Sequence, residues 1–182
     1  MTHLARICAA ALILVLPACS AQTPHHGKKP DPKPEPTQQE LFEYIRGKLL
    51  SLSPGDGIND NLEVAFDPAS AILSITQPDG RCDIFLSAID TNSAVWEVFD
   101  PSDTYHTREQ VLRLTLTSLS GKKARTCYDS HNQVDTSLAA NRVRLLFSLA
   151  KANEVPDFTE NMGKAIKKLI VLAGGTPEKD LF

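Results

Sequence analysis

Two histidines sit among the side chains that nucleophilic catalysis uses. His106 lies in Asp103-Thr104-Tyr105-His106-Thr107-Arg108, and His131 in Tyr128-Asp129-Ser130-His131-Asn132. An imidazole, a carboxylate and a hydroxyl within a few residues are the parts of a Ser/His/Asp site. The same residues also make an ordinary polar turn, because Asp, Asn and Ser side chains hydrogen-bond their own backbone. No Gly-x-Ser-x-Gly elbow exists, and neither Cys82 nor Cys127 stands in a cysteine-protease signature. The polar-turn reading is preferred, and no catalytic residue is assigned. Asp56-Gly57-Ile58-Asn59-Asp60-Asn61-Leu62 is oxygen-rich in the manner of a calcium loop, and Asp79/Asp83 form a second carboxylate pair. The loop lacks the Asp-x-Asp-x-Asp-Gly order and the closing glutamate, so a solvated turn is expected and no metal or cofactor is assigned. Trp96, the single tryptophan, could be a ligand platform, but packing in a sheet is the plainer role. Arg142/Arg144 and Lys164/Lys167/Lys168 could offer a basic patch to an anionic glycan or lipid; solvated helix faces are the plainer reading.

The cysteines carry a different chemistry. Leu16-Pro17-Ala18-Cys19 directly follows the apolar run Ile7 to Val15, with Arg6 ahead of it. That run is far short of the roughly 20 residues a helix needs to span hydrocarbon. Its charged start and small-residue end fit a secretory signal. The stretch resembles the lipobox of bacterial lipoprotein signal peptides. The resemblance implies that Cys19 takes a thioether-linked diacylglycerol, that residues 1–18 are removed, and that the new amino terminus is acylated. At ~0.8 kcal/mol per buried CH₂, three chains would hold far better than one. The implied address is the bacterial cell envelope, with the membrane as a partner through the lipid. Ser20, rather than an aspartate, follows the cysteine, and by the same resemblance this favours the outer membrane.

On that reading Cys8 leaves with the signal and Cys19 carries lipid, so Cys82 and Cys127 remain in a compartment where disulfides persist. A Cys82–Cys127 bond is favoured over two buried free thiols. No Cys-x₂-Cys spacing supplies a zinc site. Closing the intervening loop would add about 3–4 kcal/mol. Removing residues 1–18 takes one of the 19 Lys+Arg (Arg6), leaving 18 against 22 Asp+Glu, a formal charge of −4. A mildly acidic domain with no basic stripe argues against nucleic acid as a partner.

The elements that would position these residues follow from patterning. Residues 19–36 hold the lipidated cysteine and a tether in which prolines alternate from Pro30 to Pro36, favouring an extended polyproline II path. His25-His26 and Lys28-Lys29 read as ordinary tether residues. A single domain is expected over 37–182. Thr37 with Glu40 makes a capping box for a helix from about Gln38 to Leu52, whose Leu41, Phe42, Ile45 and Leu49 share a face. Six short strands are expected next: Leu62–Phe66, Ala71–Gln77, Arg81–Ile89, Val95–Phe99, Arg108–Leu119 and Ala124–Tyr128. In the fifth, Leu112, Leu114 and Leu116 alternate with polar residues. In the Pro78-Asp79-Gly80 turn, glycine is expected to accept positive φ. Helices over roughly 136–152 and from Asp157, expected with Glu160 to cap it, to the Gly174-Gly175 stop close the chain.

The expected fold is α+β: one antiparallel meander of about six strands with one N-terminal and two C-terminal helices packed on it. A flat meander conflicts with the disulfide, because strands three places apart lie ~14 Å apart. Either strand three pairs directly with strand six, or the thiols are free. The expected function is a non-catalytic interaction module, tethered in the envelope, that binds a protein or cell-wall partner. The alternative is a small periplasmic hydrolase or an inhibitor or immunity-type protein.

Overall fold

In the computed structural model, residues 34–54, 61–100, 109–137 and 139–175 are described. The lipobox-like stretch with Cys19, the Asp56 to Asp60 segment and His106 therefore lie outside the described residues. Helix α1 (Gln38–Ser51) starts as its sequence requires: the Thr37 hydroxyl accepts from the Glu40 backbone N–H, and the Glu40 carboxylate accepts from the Thr37 N–H. Strands β1 (Glu63–Asp67), β2 (Ile72–Gln77) and β3 (Gly80–Phe85) follow, joined by tight turns. Two 3₁₀ turns, Leu86–Ala88 and Thr91–Ser93, lead into β4 (Val95–Phe99). Then come β5 (Val111–Thr117), β6 (Arg125–Asp129), β7 (Arg142–Ser148), the short α2 (Leu149–Asn153) and α3 (Phe158–Leu172).

The single six-stranded meander is not what forms. Among the described residues, seven strands divide into two antiparallel sheets, β1-β2-β3-β6 and β4-β5-β7. After β3 the chain leaves to build the β4–β5 hairpin, returns for β6, and leaves again for β7. This crossover resolves the disulfide conflict. Strand β3 pairs with β6, and Cys82 stands directly opposite Cys127 with Cα atoms 4.0 Å apart, joined by a disulfide.

The expected helix over 136–152 is a second correction. Only its last turn is helical; Arg142–Ser148 is a strand that pairs with β5 over seven residues. Val143, Leu145 and Phe147 are buried, whereas Arg142 ahead of them and Arg144 between the first two are exposed. Leucines three and four apart suit a helix face, but the alternation through Phe147 suits a strand equally well. The tertiary context decides, because β7 covers the second edge of β5 and so buries Leu114 completely.

Two smaller expectations also change. Asp157 adopts a left-handed conformation and gives α3 no side-chain cap, although its carbonyl accepts the Asn161 N–H at 2.9 Å. Gly80 is needed for a close approach rather than for positive φ. A Cβ there would lie 2.2 Å from the Tyr128 carbonyl oxygen on β6.

The core lies where both sheets meet the two long helices. Ile45 of α1, Ile166 and Leu169 of α3, Leu73 and Ile84 of the first sheet, and Leu116 and Leu145 of the second converge there. Trp96 takes the packing role. Its ring sits 5.9 Å from Phe147 and 5.8 Å from Phe158, and Phe147 and Phe158 meet edge to face at 5.1 Å. Gly163 on α3 leaves room for the indole. The α3 helix ends in a Schellman arrangement: Gly174 has φ of 84°, its N–H donates to Val171, and the Gly175 N–H donates to Ile170.

Candidate functional site

A cleft of about 430 Å³ opens between the two sheets. Sheet register explains one wall. Val64, Ile75, Cys82 and Cys127 form one cross-strand row, and Phe66, Leu73 and Ile84 belong to the next, so these side chains share the inner face. Ile75, Ile84 and the disulfide reach the cleft from that face, and Leu49 of α1 joins them. The opposite wall is β7, touched at four consecutive residues, Val143 to Leu146. Side chains alternate between the faces of a strand, so a cleft touching both parities runs along the strand rather than over one face.

The rim is polar. Asp79, Asp129, Asp135, Arg81, Arg125 and Arg144 border it. Several of these charges are held locally. The Asp129 carboxylate accepts the backbone N–H groups of His131 and Gln133 at 2.9 and 2.8 Å. Asp135 is held below the ordinary carboxylate range chiefly by the Ser137 hydroxyl, then by the Ser137 backbone N–H, with the Arg125 charge adding to it. Arg125 also donates to the Ala139 carbonyl. Arg81 pairs with Asp83 at 3.2 Å and lies over the Tyr128 ring. The result is an apolar floor with a fixed, mixed-charge border, the usual build of a binding cleft.

The residues singled out for chemistry are distributed differently. His131 is exposed, and it is its backbone, not its imidazole, that Asp129 contacts. Asp83 faces away from the cleft, where it accepts from Ser74 and pairs with Arg81, while Asp79 sits in the β2–β3 turn. No cluster of three or more His, Cys, Asp or Glu side chains suited to a metal occurs among the described residues. Lys164 pairs with Glu160, and Lys168 with Glu35 at 2.6 Å, so these lysines serve α3 and the start of the domain. Arg142 and Arg144 belong to β7 rather than to a helix, two residues apart and therefore on one face. The cleft itself was not foreseen. It depends on β7 being a strand, and the one signal for that was the Val143/Leu145/Phe147 alternation. No family model, curated protein or solved structure matches the chain.

Proposed function

We propose that the chain is a lipid-anchored envelope protein whose domain is a non-catalytic binding module, with the inter-sheet cleft as its binding surface. The observation that carries this reading is the cleft: an apolar floor closed by a disulfide, under a mixed-charge border in which Arg81, Arg125, Asp129 and Asp135 are held by local partners. Such a border can orient a ligand. The lipobox-like stretch supplies the address, the envelope and by preference the outer membrane. The proline-rich segment would hold the module clear of the bilayer. Among the described residues no helix is long and apolar enough to cross a membrane; in this reading the lipid on Cys19 is the attachment.

The test separates the anchor from the cleft. Cys19→Ala should move the chain out of the membrane fraction, and mass spectrometry of the wild type should show a Cys19 terminus carrying a thioether-linked diacylglycerol and an N-acyl chain. Gln77→Trp, at the cleft wall, should leave attachment and fold intact but abolish recovery of the envelope partner in an affinity pull-down. An unmodified Met1 terminus would overturn the anchor. Undiminished capture by a folded Gln77→Trp chain would overturn the cleft.

A further inference from the structure

Strand β7 ends its sheet among the described residues, so one of its two edges has no described strand beside it. The backbone contacts reveal which residues point that way. The Asn141 carbonyl accepts from Ser118, and the Leu149 N–H donates to Gln110, so odd-numbered residues direct their backbone groups toward the β5 side. The Ser148 N–H turns the other way and donates to Leu52 at 2.7 Å. Alternation in an antiparallel ladder then sends the N–H and C=O of Arg144 and Leu146 to the open edge. That edge is closed above by Leu52 and below by the Ala139 carbonyl, which accepts from Arg142. Between these closures no hydrogen bond is made at Arg144 or Leu146 among the described residues, and both residues border the cleft.

Resting on the cleft reading above, we propose that the occupant is an extended polypeptide segment that adds to the open edge of β7 as an extra strand. An edge strand beside an apolar wall is a template for such pairing. The added strand would turn alternate side chains toward Ile75, Ile84 and the disulfide, so these are apolar. Its other side chains lie on the face that carries Arg142 and Arg144. Both arginines are exposed, and neither makes an ion pair within 4 Å among the described residues. Directly opposed strand residues interact best when oppositely charged. The segment recognised therefore alternates apolar and acidic residues.

The probe is a random dodecapeptide display library, panned against the full chain in detergent micelles. Enriched peptides should alternate apolar residues with Asp or Glu. Each should bind about tenfold or more weakly to Leu146→Pro, which removes an edge donor while sparing the β5 ladder. Arg142→Glu combined with Arg144→Glu should reverse the preference toward Lys and Arg. If Leu146→Pro fails to fold, N-methylation of the selected peptides carries the test on the wild-type chain. Methyl groups on one set of alternate nitrogens should abolish binding, and on the other set should leave it intact. Absence of enrichment, or binders indifferent to both backbone changes, would overturn strand addition. Cleft-dependent capture from the envelope would then still stand on its own, so the two failures are distinguishable.

Discussion

At the scale of single residues, the Cys82–Cys127 bond is the contact that pins β3 to β6. The two cysteines are 45 residues apart in sequence, and they face each other across neighbouring strands. Thiol titration of the denatured, unreduced chain should find neither cysteine reactive. Replacing both with alanine should lower stability by about 3–4 kcal/mol in chemical unfolding, the cost of freeing a loop of that length in the unfolded chain. Two reactive thiols would reject the bond. Gly80 gives a second residue-scale prediction. Because an added methyl would meet the Tyr128 carbonyl at 2.2 Å, Gly80→Ala must push β3 from β6 and should cost about 1–3 kcal/mol, as overpacking does. Circular dichroism during urea unfolding reads it, and a neutral result would mean that this part of the ladder is looser than described. The cysteine pair was legible in the sequence because, on the lipobox reading, only these two thiols remain in the domain. The reason for Gly80 was not, since the approach of β6 is set by topology.

At the scale of elements, helices α1 and α3 were readable from capping residues and apolar stripes, and strands β1 to β6 from turns and alternation. The sequence reached β3 beside β6 only through the favoured cysteine pair, and it did not reach β5 beside β7. Loop chemistry fixes neighbours in a hairpin, but β3 with β6 and β5 with β7 are long-range pairings chosen by burial. Strand β7 shows the ambiguity directly, because its leucines fit both a helical stripe and an alternating strand until β5 is placed beside it. Phe147 tests the outcome. It is fully buried and stacks against both Trp96 and Phe158. Phe147→Ala should cost about 3–5 kcal/mol, measured by chemical unfolding, whereas Leu146→Ala on the other, half-buried face should cost much less. Equal costs would favour a different placement of this segment.

At the scale of the whole molecule, the pairing of surface charges sets the response to pH. The carboxyls of Asp67, Glu97, Asp135 and Glu160 are all held below their ordinary values. The largest causes are the Ser70 hydroxyl, the Arg113 guanidinium, the Ser137 hydroxyl and the Lys164 ammonium respectively. For groups lowered by folding, the stabilisation is present above their ordinary values, 3.8 for Asp and 4.5 for Glu. It is lost as pH falls through the lower folded values. The thermal midpoint should therefore hold steady down to about pH 5 and decline below about 4.5. Glu97→Gln should shallow the decline, and a rise in midpoint on acidification would contradict these pairings. The central claim is that the tethered domain works by binding in the inter-sheet cleft, and site-directed photocrosslinking in intact cells tests it most directly. A benzophenone side chain placed at Asp79, on the exposed rim of the cleft, should yield a discrete adduct that Gln77→Trp suppresses. The same group at Lys122, in an exposed turn off the cleft, should yield none. No adduct at Asp79, or equal adducts at both positions, would contradict the account.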